Sequence, residues 1–172
     1  PVGALGYVEA AAELVAQAEA MGNFIDTAVV PSGSASTHAG MLAGMKAMGS
    51  PTRVLGICVR RDAAAQRPGV LKRTRETLEL AGLSTVVTEA DVHVTDAWLG
   101  YVYGRLNDAA REAMILAAEC EGLLLDPVYT AKSLAGLIGA VRDGTIANDE
   151  TAVFLHTGGT PALFAYEDFL GT

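Results

Sequence analysis

Only two cysteines and three histidines occur among the 172 residues, too few for a disulfide framework or a zinc-type cluster. Cys58 falls on an expected strand and Cys120 near an expected helix end. Their spacing is not that of metal ligands, and both read as buried thiols of a protein in a reducing cytoplasm. Basic residues are also scarce. Twelve Lys and Arg stand against 20 Asp and Glu, a net charge of −8, which argues against a general nucleic-acid or membrane-surface binder. No apolar run is long enough to span a bilayer, and no basic-then-apolar leader opens the chain. The dinucleotide pattern Gly-x-Gly-x-x-Gly and the Gly-Lys-Ser/Thr of nucleotide-binding loops are both missing. Internal repeats and low-complexity stretches are missing as well. The chain does not begin with Met. Pro1-Val2-Gly3-Ala4-Leu5-Gly6 reads as a loop entered part-way, so the expectation is a piece of something longer.

Apolar residues, by contrast, are abundant: 51% hydrophobic against 19% charged. That balance hints at apolar surface covered by something outside the chain. Its length fits one domain. Helical patterns at residues 6–21, 41–48, 66–81, 107–119 and 130–142 alternate with apolar strand-like runs at residues 24–30, 53–59 and 152–155. Val86-Val87 and Val92-His93-Val94 add two short strand-like pieces. Leu123-Leu124-Leu125 is a third, broken at Asp126-Pro127. Residues 95–104 read as an aromatic-bearing loop and residues 162–169 as a terminal helical stub. The alternation predicts an α/β fold, a mostly parallel sheet with helices on both faces in three layers. In such sheets ligands bind outside the carboxyl ends of the strands.

Two glycine-rich turns fall at that edge. The first is Pro31-Ser32-Gly33-Ser34-Ala35-Ser36-Thr37-His38-Ala39-Gly40, between a strand and a helix. Free N–H groups and the positive dipole end of the helix favour an anion there. Gly33 lets the backbone approach, Ser34, Ser36 and Thr37 offer hydroxyls, and one of these can cap the helix. The turn reads either as a phosphate site or as a tight connection with an ordinary cap. The second turn is His156-Thr157-Gly158-Gly159-Thr160-Pro161. His38 and His156 flank the ligand edge and are candidates for direct contact with chemistry or for packing roles; His93 reads as structural. Tyr103 and Tyr129 sit in loops, where each can stack on a flat ligand, pass a proton or pack. The basic run Lys72-Arg73 with Arg75 reads as a solvated face.

Taken together, residues 33–40, 121–132 and 156–166, with Tyr103-Gly104 at matching spacing, resemble the fold type II (tryptophan-synthase-β-like) pyridoxal-phosphate enzymes. More narrowly they resemble the branch with D-cysteine desulfhydrase, 1-aminocyclopropane-1-carboxylate deaminase and L-cysteate sulfo-lyase. The resemblance implies that Gly33, Ser34, Ala35, Ser36 and Thr37 hold the phosphate of pyridoxal 5'-phosphate. It implies that Thr157 meets the pyridine nitrogen, that Tyr129 lies beside cofactor and substrate, and that Tyr103 faces the substrate. Thr130 and Thr157 stand where the aminocyclopropane deaminases have Glu and Leu, which favours the desulfhydrase type: α,β-elimination of a small sulfur amino acid to pyruvate, ammonia and sulfide. The departures are Ala35 and Ser36 in place of two glycines, and Arg105-Leu106 after Tyr103-Gly104. The family's Schiff-base lysine is absent. Lys46, Lys72 and Lys132 lie outside any such motif. The resemblance therefore covers the C-terminal part of the cofactor-binding large domain (residues 1–172), with the N-terminal half as the missing partner and a cytoplasmic homodimer as the whole. The alternatives are an aminocyclopropane deaminase, a sulfo-lyase, or a non-catalytic fragment that binds a phosphate ligand.

Overall fold

The computed structural model describes residues 2–166. Four short strands build the sheet: β1 (Thr27–Ser32), β2 (Arg53–Cys58), β3 (His93–Thr95) and β4 (Ala152–Phe154). Their order is β3-β2-β1-β4 and every pairing is parallel, as the alternation of strands and helices requires. β1, buried along its whole length, carries a proline at position 31 although it is an inner strand. The register explains why this is tolerated. Val29 accepts from Leu155 N–H on the β4 side and Ser32 accepts from Val59 N–H on the β2 side. Residues alternate sides along a strand, so Pro31 faces β4, beyond the last paired residue Val29. The hydrogen bond that a proline cannot donate is one the sheet does not make there.

The two sheet faces carry different helices. Val30 and Val54 point to α2 (Ser36–Ala47), where they pack on Met41 and Met45. Val29, Leu55 and Ile57 point the other way, to Ala140 of α5 (Thr130–Arg142) and to Ile146. Each such fully buried side chain contributes about 1.5–3 kcal/mol. The first helix, α1 (Val2–Ala20), lies outside α2. Its close approach depends on two glycines one turn apart on α2. A Cβ at Gly40 would strike the Ala4 carbonyl, and one at Gly44 would lie 2.6 Å from Ala11 Cβ. This contact corrects the expected loop at the start of the chain: Val2–Leu5 is helical, because Ala4 is seated fully buried on Gly40.

Helix α3 (Ala63–Leu80) also starts earlier than its apolar pattern shows, since Asp62 caps it by accepting from Ala65 N–H at 2.7 Å. Helix α4 (Asp108–Glu121) is capped by Asn107, which accepts from Ala110 N–H at 2.9 Å, and it packs on α5. Val86-Val87 and Leu123–Leu125 are not strands; neither stretch pairs with a neighbouring strand in the sheet. Residues 160–165 form a 3-10 turn that ends at Tyr166, and residues 167–169 of the expected terminal stub lie outside the described residues. Val2, Met21, Val86, Tyr101 and Phe164 are each more than two-thirds exposed, the uncovered apolar surface that the composition announces. No described helix is long and apolar enough to cross a membrane.

Candidate functional site

The first glycine-rich turn leaves β1 at Ser32 and enters α2 at Ser36. Ala35 is the cap residue, in the left-handed region (φ 72°, ψ −9°), and no side chain caps the helix. The expected hydroxyl cap is therefore absent. Ser34 Oγ comes only within 3.5 Å of the Ser36 N–H, at the weak limit of a hydrogen bond. The start of α2 thus keeps its anion-attracting character. Gly33 leaves space that a side chain would take, since a Cβ there would lie 3.1 Å from Val59 Cγ2 and 3.7 Å from Tyr129 Cε1.

Around this space is a cavity of about 100 Å³ lined by Pro31, Gly33, Ser34, Ala35, Thr37, Tyr129 and Thr157. The parallel topology brings the two glycine-rich turns to one edge, and they face each other across it. Ser36 is not on the wall. Tyr103 is not on the wall either, but its hydroxyl lies 2.5 Å from that of Tyr129, with the rings 6.5 Å apart at 70°. The hydrogen bond to Tyr103, then burial, then the negative charge of Tyr103 when ionised and of Asp126, push the Tyr129 phenol up to about 12, with Arg60 opposing. Tyr129 is therefore protonated at neutral pH.

Beneath the cradle lies a buried polar network. Ser32 Oγ accepts from Gln66 Nε2 at 2.8 Å and sits 3.2 Å from His38 Nδ1. The tautomer of the His38 ring sets whether Ser32 Oγ or His38 Nδ1 donates. Burial, then the charge of His93, push the imidazole down to about 3, with Arg67 adding and the Val54 backbone opposing. A Cβ at Gly56 would collide with the His38 ring. His38 is thus a fully buried support, and it makes no contact with the cavity.

Asp126 organises the opposite wall. Its buried carboxylate accepts from the N–H groups of Val128, Tyr129 and Thr130 at 2.7–2.9 Å and from Thr130 Oγ1 at 2.7 Å. This fixes the start of α5 and the direction of Tyr129. Gly159 (φ 95°) packs directly on it, where a Cβ would lie 2.9 Å from Asp126 Cγ. His156 serves the same wall as a brace. Its Nδ1 accepts from Gly158 N–H at 3.2 Å and its Nε2 faces the Leu124 carbonyl at 3.1 Å.

In the sequence Asp126 reads as a breaker and as part of the Asp-Pro-Val-Tyr segment, with no site role, and Ser32 and Gln66 carry no role at all. A signal for Asp126 was present: an Asp before Pro with a Thr four residues on is a side-chain-stabilised turn. Ser32 and Gln66 meet only through tertiary packing. Cys120 is exposed, contrary to expectation, whereas Cys58 is buried and its thiol is pushed up to about 12 by burial and then by Asp96 and Asp62; such a thiol is unreactive. No described group of three His, Cys, Asp or Glu is placed to hold a metal.

This chain is 42% identical over 165 residues to a D-cysteine desulfhydrase of Salmonella typhi, covering 96% of this chain and 49% of that protein. A D-cysteine desulfhydrase of Salmonella paratyphi C is 43% identical over 166 residues with the same coverage. The chain therefore spans about half the length of these relatives. Among solved structures it superposes on an ACC deaminase homologue with a TM-score of 0.86 and 33% identity, over 99% of this chain and 50% of that one. The processed form of a threonine deaminase from Solanum lycopersicum shares the fold at a TM-score of 0.60 and 16% identity, over 97% of this chain and 49% of that one. Residues 1–158 match the family described as pyridoxal-phosphate dependent enzymes, whose fold the parallel sheet and its helices reproduce; the chain belongs to that family.

Proposed function

We propose that this chain is the C-terminal part of the cofactor-binding large domain of a pyridoxal-phosphate lyase of the D-cysteine desulfhydrase type. The observation that carries the reading is the cavity at the uncapped start of α2, where Gly33, Ser34, Ala35 and Thr37 meet Thr157 and Tyr129. These residues fit the phosphate of the cofactor. A helix start without a side-chain cap, a space a Cβ would crowd and the hydroxyls of Ser34 and Thr37 suit a doubly charged group. Pyridoxal phosphate, when bound, supplies the electron sink for negative charge at the substrate α-carbon.

The residues of this chain bind and orient. Gly33, Ser34, Ala35, Ser36 and Thr37 hold the phosphate, Ser36 acting from the first turn of α2 rather than from the wall. Thr157 presents a hydroxyl to the ring nitrogen. Tyr129 holds its proton on Oη and donates; with its phenol near 12 it is no base. Tyr103 presents its own hydroxyl, paired with that of Tyr129, to the substrate side. The covalent lysine lies outside this chain, in the remaining half of the parent. The substrate is a small amino acid with a β-sulfur leaving group, and the parent works as a cytoplasmic homodimer.

Two measurements test this. First, the chain mixed with pyridoxal phosphate and treated with borohydride is expected to carry no covalently fixed cofactor; fixation on one of its lysines would overturn the assignment of the anchor. Second, the parent enzyme is expected to release sulfide and pyruvate from D-cysteine. The likeness to an ACC deaminase homologue favours one competing reading, aminocyclopropane deamination, and release of 2-oxobutyrate alone would establish it. Sulfite release from L-cysteate alone would establish the sulfo-lyase. A chain that binds phosphate ligands in a parent without any of these activities would be a non-catalytic module.

A further inference from the structure

Among the described residues Lys132 is the largest fully buried side chain, with no exposed surface. A buried ammonium is costly unless its hydrogen bonds are specific and well placed. No described carboxylate pairs with it. Its described hydrogen bond is to the Leu99 carbonyl, with Nζ donating at 2.8 Å. Both ends of this bond lead to the tyrosine pair. Lys132 stands on the first turn of α5, three residues after Tyr129, whose N–H the Asp126 carboxylate holds. Leu99 precedes Gly100 (φ 75°), where the segment that carries Tyr103 begins, and that segment ends at Gly104 (φ 76°). Asn107 Nδ2 holds the neighbouring Trp98 carbonyl at 3.0 Å and Tyr166 Oη holds the Gly104 carbonyl at 2.7 Å. These two bonds tie the segment to its own surroundings. The Lys132 bond ties its backbone to the helix that presents Tyr129.

We infer that Lys132 is a positioning residue for the hydroxyl pair: from inside α5 its ammonium holds the Leu99 carbonyl and so sets where the segment of residues 100–104 brings Tyr103 to Tyr129. The inference rests on the proposal that this pair faces the substrate, and it deepens that proposal by naming what fixes the gap between the two hydroxyls. A charged donor suits this role because its bond to a carbonyl is stronger than a neutral amide's. The role also explains why so long a side chain is buried whole and its tip spent on one backbone carbonyl.

The test reads the pair itself, with neither cofactor nor substrate. In the full-length protein the Tyr129 phenol is followed by tyrosine-selective NMR or ultraviolet titration. Tyr103→Phe sets the benchmark: without its partner hydroxyl, Tyr129 is expected to titrate below the value of about 12, toward 10. Lys132→Met is expected to move it by a comparable amount, and the double variant no further than either single one. Lys132→Gln keeps a neutral donor and is expected to restore part of the shift; it also serves if the Met variant does not fold. Hydrogen exchange of residues 99–104 should quicken in Lys132→Met and not in Tyr103→Phe. A folded Lys132→Met in which Tyr129 still titrates at its original value overturns the inference, as do additive shifts in the double variant. If the Tyr129 shift occurs and kcat and KM of the parent stay unchanged, the positioning stands and the substrate-facing assignment of the pair fails.

Discussion

At the residue scale the site is shaped by groups too small to attract notice. Ala35 occupies the left-handed conformation that a glycine adopts freely. A non-glycine residue there costs about 1–2 kcal/mol, while glycine adds about 0.5–1 kcal/mol of chain entropy to the unfolded state. Relief of strain wins, so Ala35→Gly is expected to stabilise the protein by roughly 0.5 kcal/mol, checked by urea denaturation. Gly56 is the reverse case. Gly56→Ala drives a methyl into the His38 ring, in a place where the sheet cannot yield. Overpacking of this kind costs about 1–3 kcal/mol, and the displaced Ser32 bond adds about 1 kcal/mol more. A fall in Tm without a change in the far-ultraviolet spectrum is the expected result. Ala35 was legible as a residue standing where the resembling family has glycine but not as one of positive φ, and a strand glycine gives no hint of the ring opposite it.

Among the elements, the start of α5 concentrates most hydrogen bonds on one side chain. Asp126→Ala would strand the N–H groups of Val128, Tyr129 and Thr130. Buried groups left unpaired cost about 1–3 kcal/mol each, so the expected loss is several kcal/mol, seen in chemical denaturation. Thr130→Val, which removes one hydroxyl and keeps the shape, is expected to cost less, about 1–2 kcal/mol. Another tie joins α2 to the 3-10 turn at Glu89–Asp91. Lys46 Nζ lies 2.7 Å from Asp91 Oδ1, and the bonds from Lys46 and then from the Thr88 backbone hold that carboxyl down at about 2. The folded value lies below the unfolded one, near 3.8, so the contribution is complete above pH 3.8 and is lost as the pH falls through 2. After screening it amounts to about 1 kcal/mol. Asp91→Asn should lose that amount at pH 7 and almost nothing at pH 2, compared by denaturation at the two values. The helices and the two glycine-rich turns were legible because periodicity and punctuation are local. Their starts were not. Ser36, Thr37 and His38 look like loop residues yet form the first turn of α2, and the first turn of α1 depends on a groove made by Gly40 and Gly44.

For the whole molecule, acid sensitivity follows from the network under the cradle. His38 is neutral when folded and titrates near 3, against 6.5 when unfolded. Its contribution to stability is full above pH 6.5 and is lost progressively as the pH falls from 6.5 toward 3, at up to about 1.4 kcal/mol per pH unit. His93, also lowered by burial and by Arg53 and Arg67, adds to the same slope. His38→Asn is expected to flatten the dependence of unfolding free energy on pH between 6 and 4, whatever its effect at pH 8; an unchanged slope would place His38 outside the acid response. The meeting of the two turns was legible at this scale, because a parallel sheet sends every strand's carboxyl end to one edge. The support layers were not, since Ser32, His38 and Gln66, like Lys132 and Leu99, are neighbours only once the helices have docked. Pro31 also bears on this edge: it has no N–H to donate toward the β4 side, beyond the last paired residue Val29. An amide at that position would offer the Leu155 carbonyl a donor, the next rung of the β1–β4 pairing after Val29. The missing proton leaves that rung without its hydrogen bond, at the edge where the two glycine-rich turns meet.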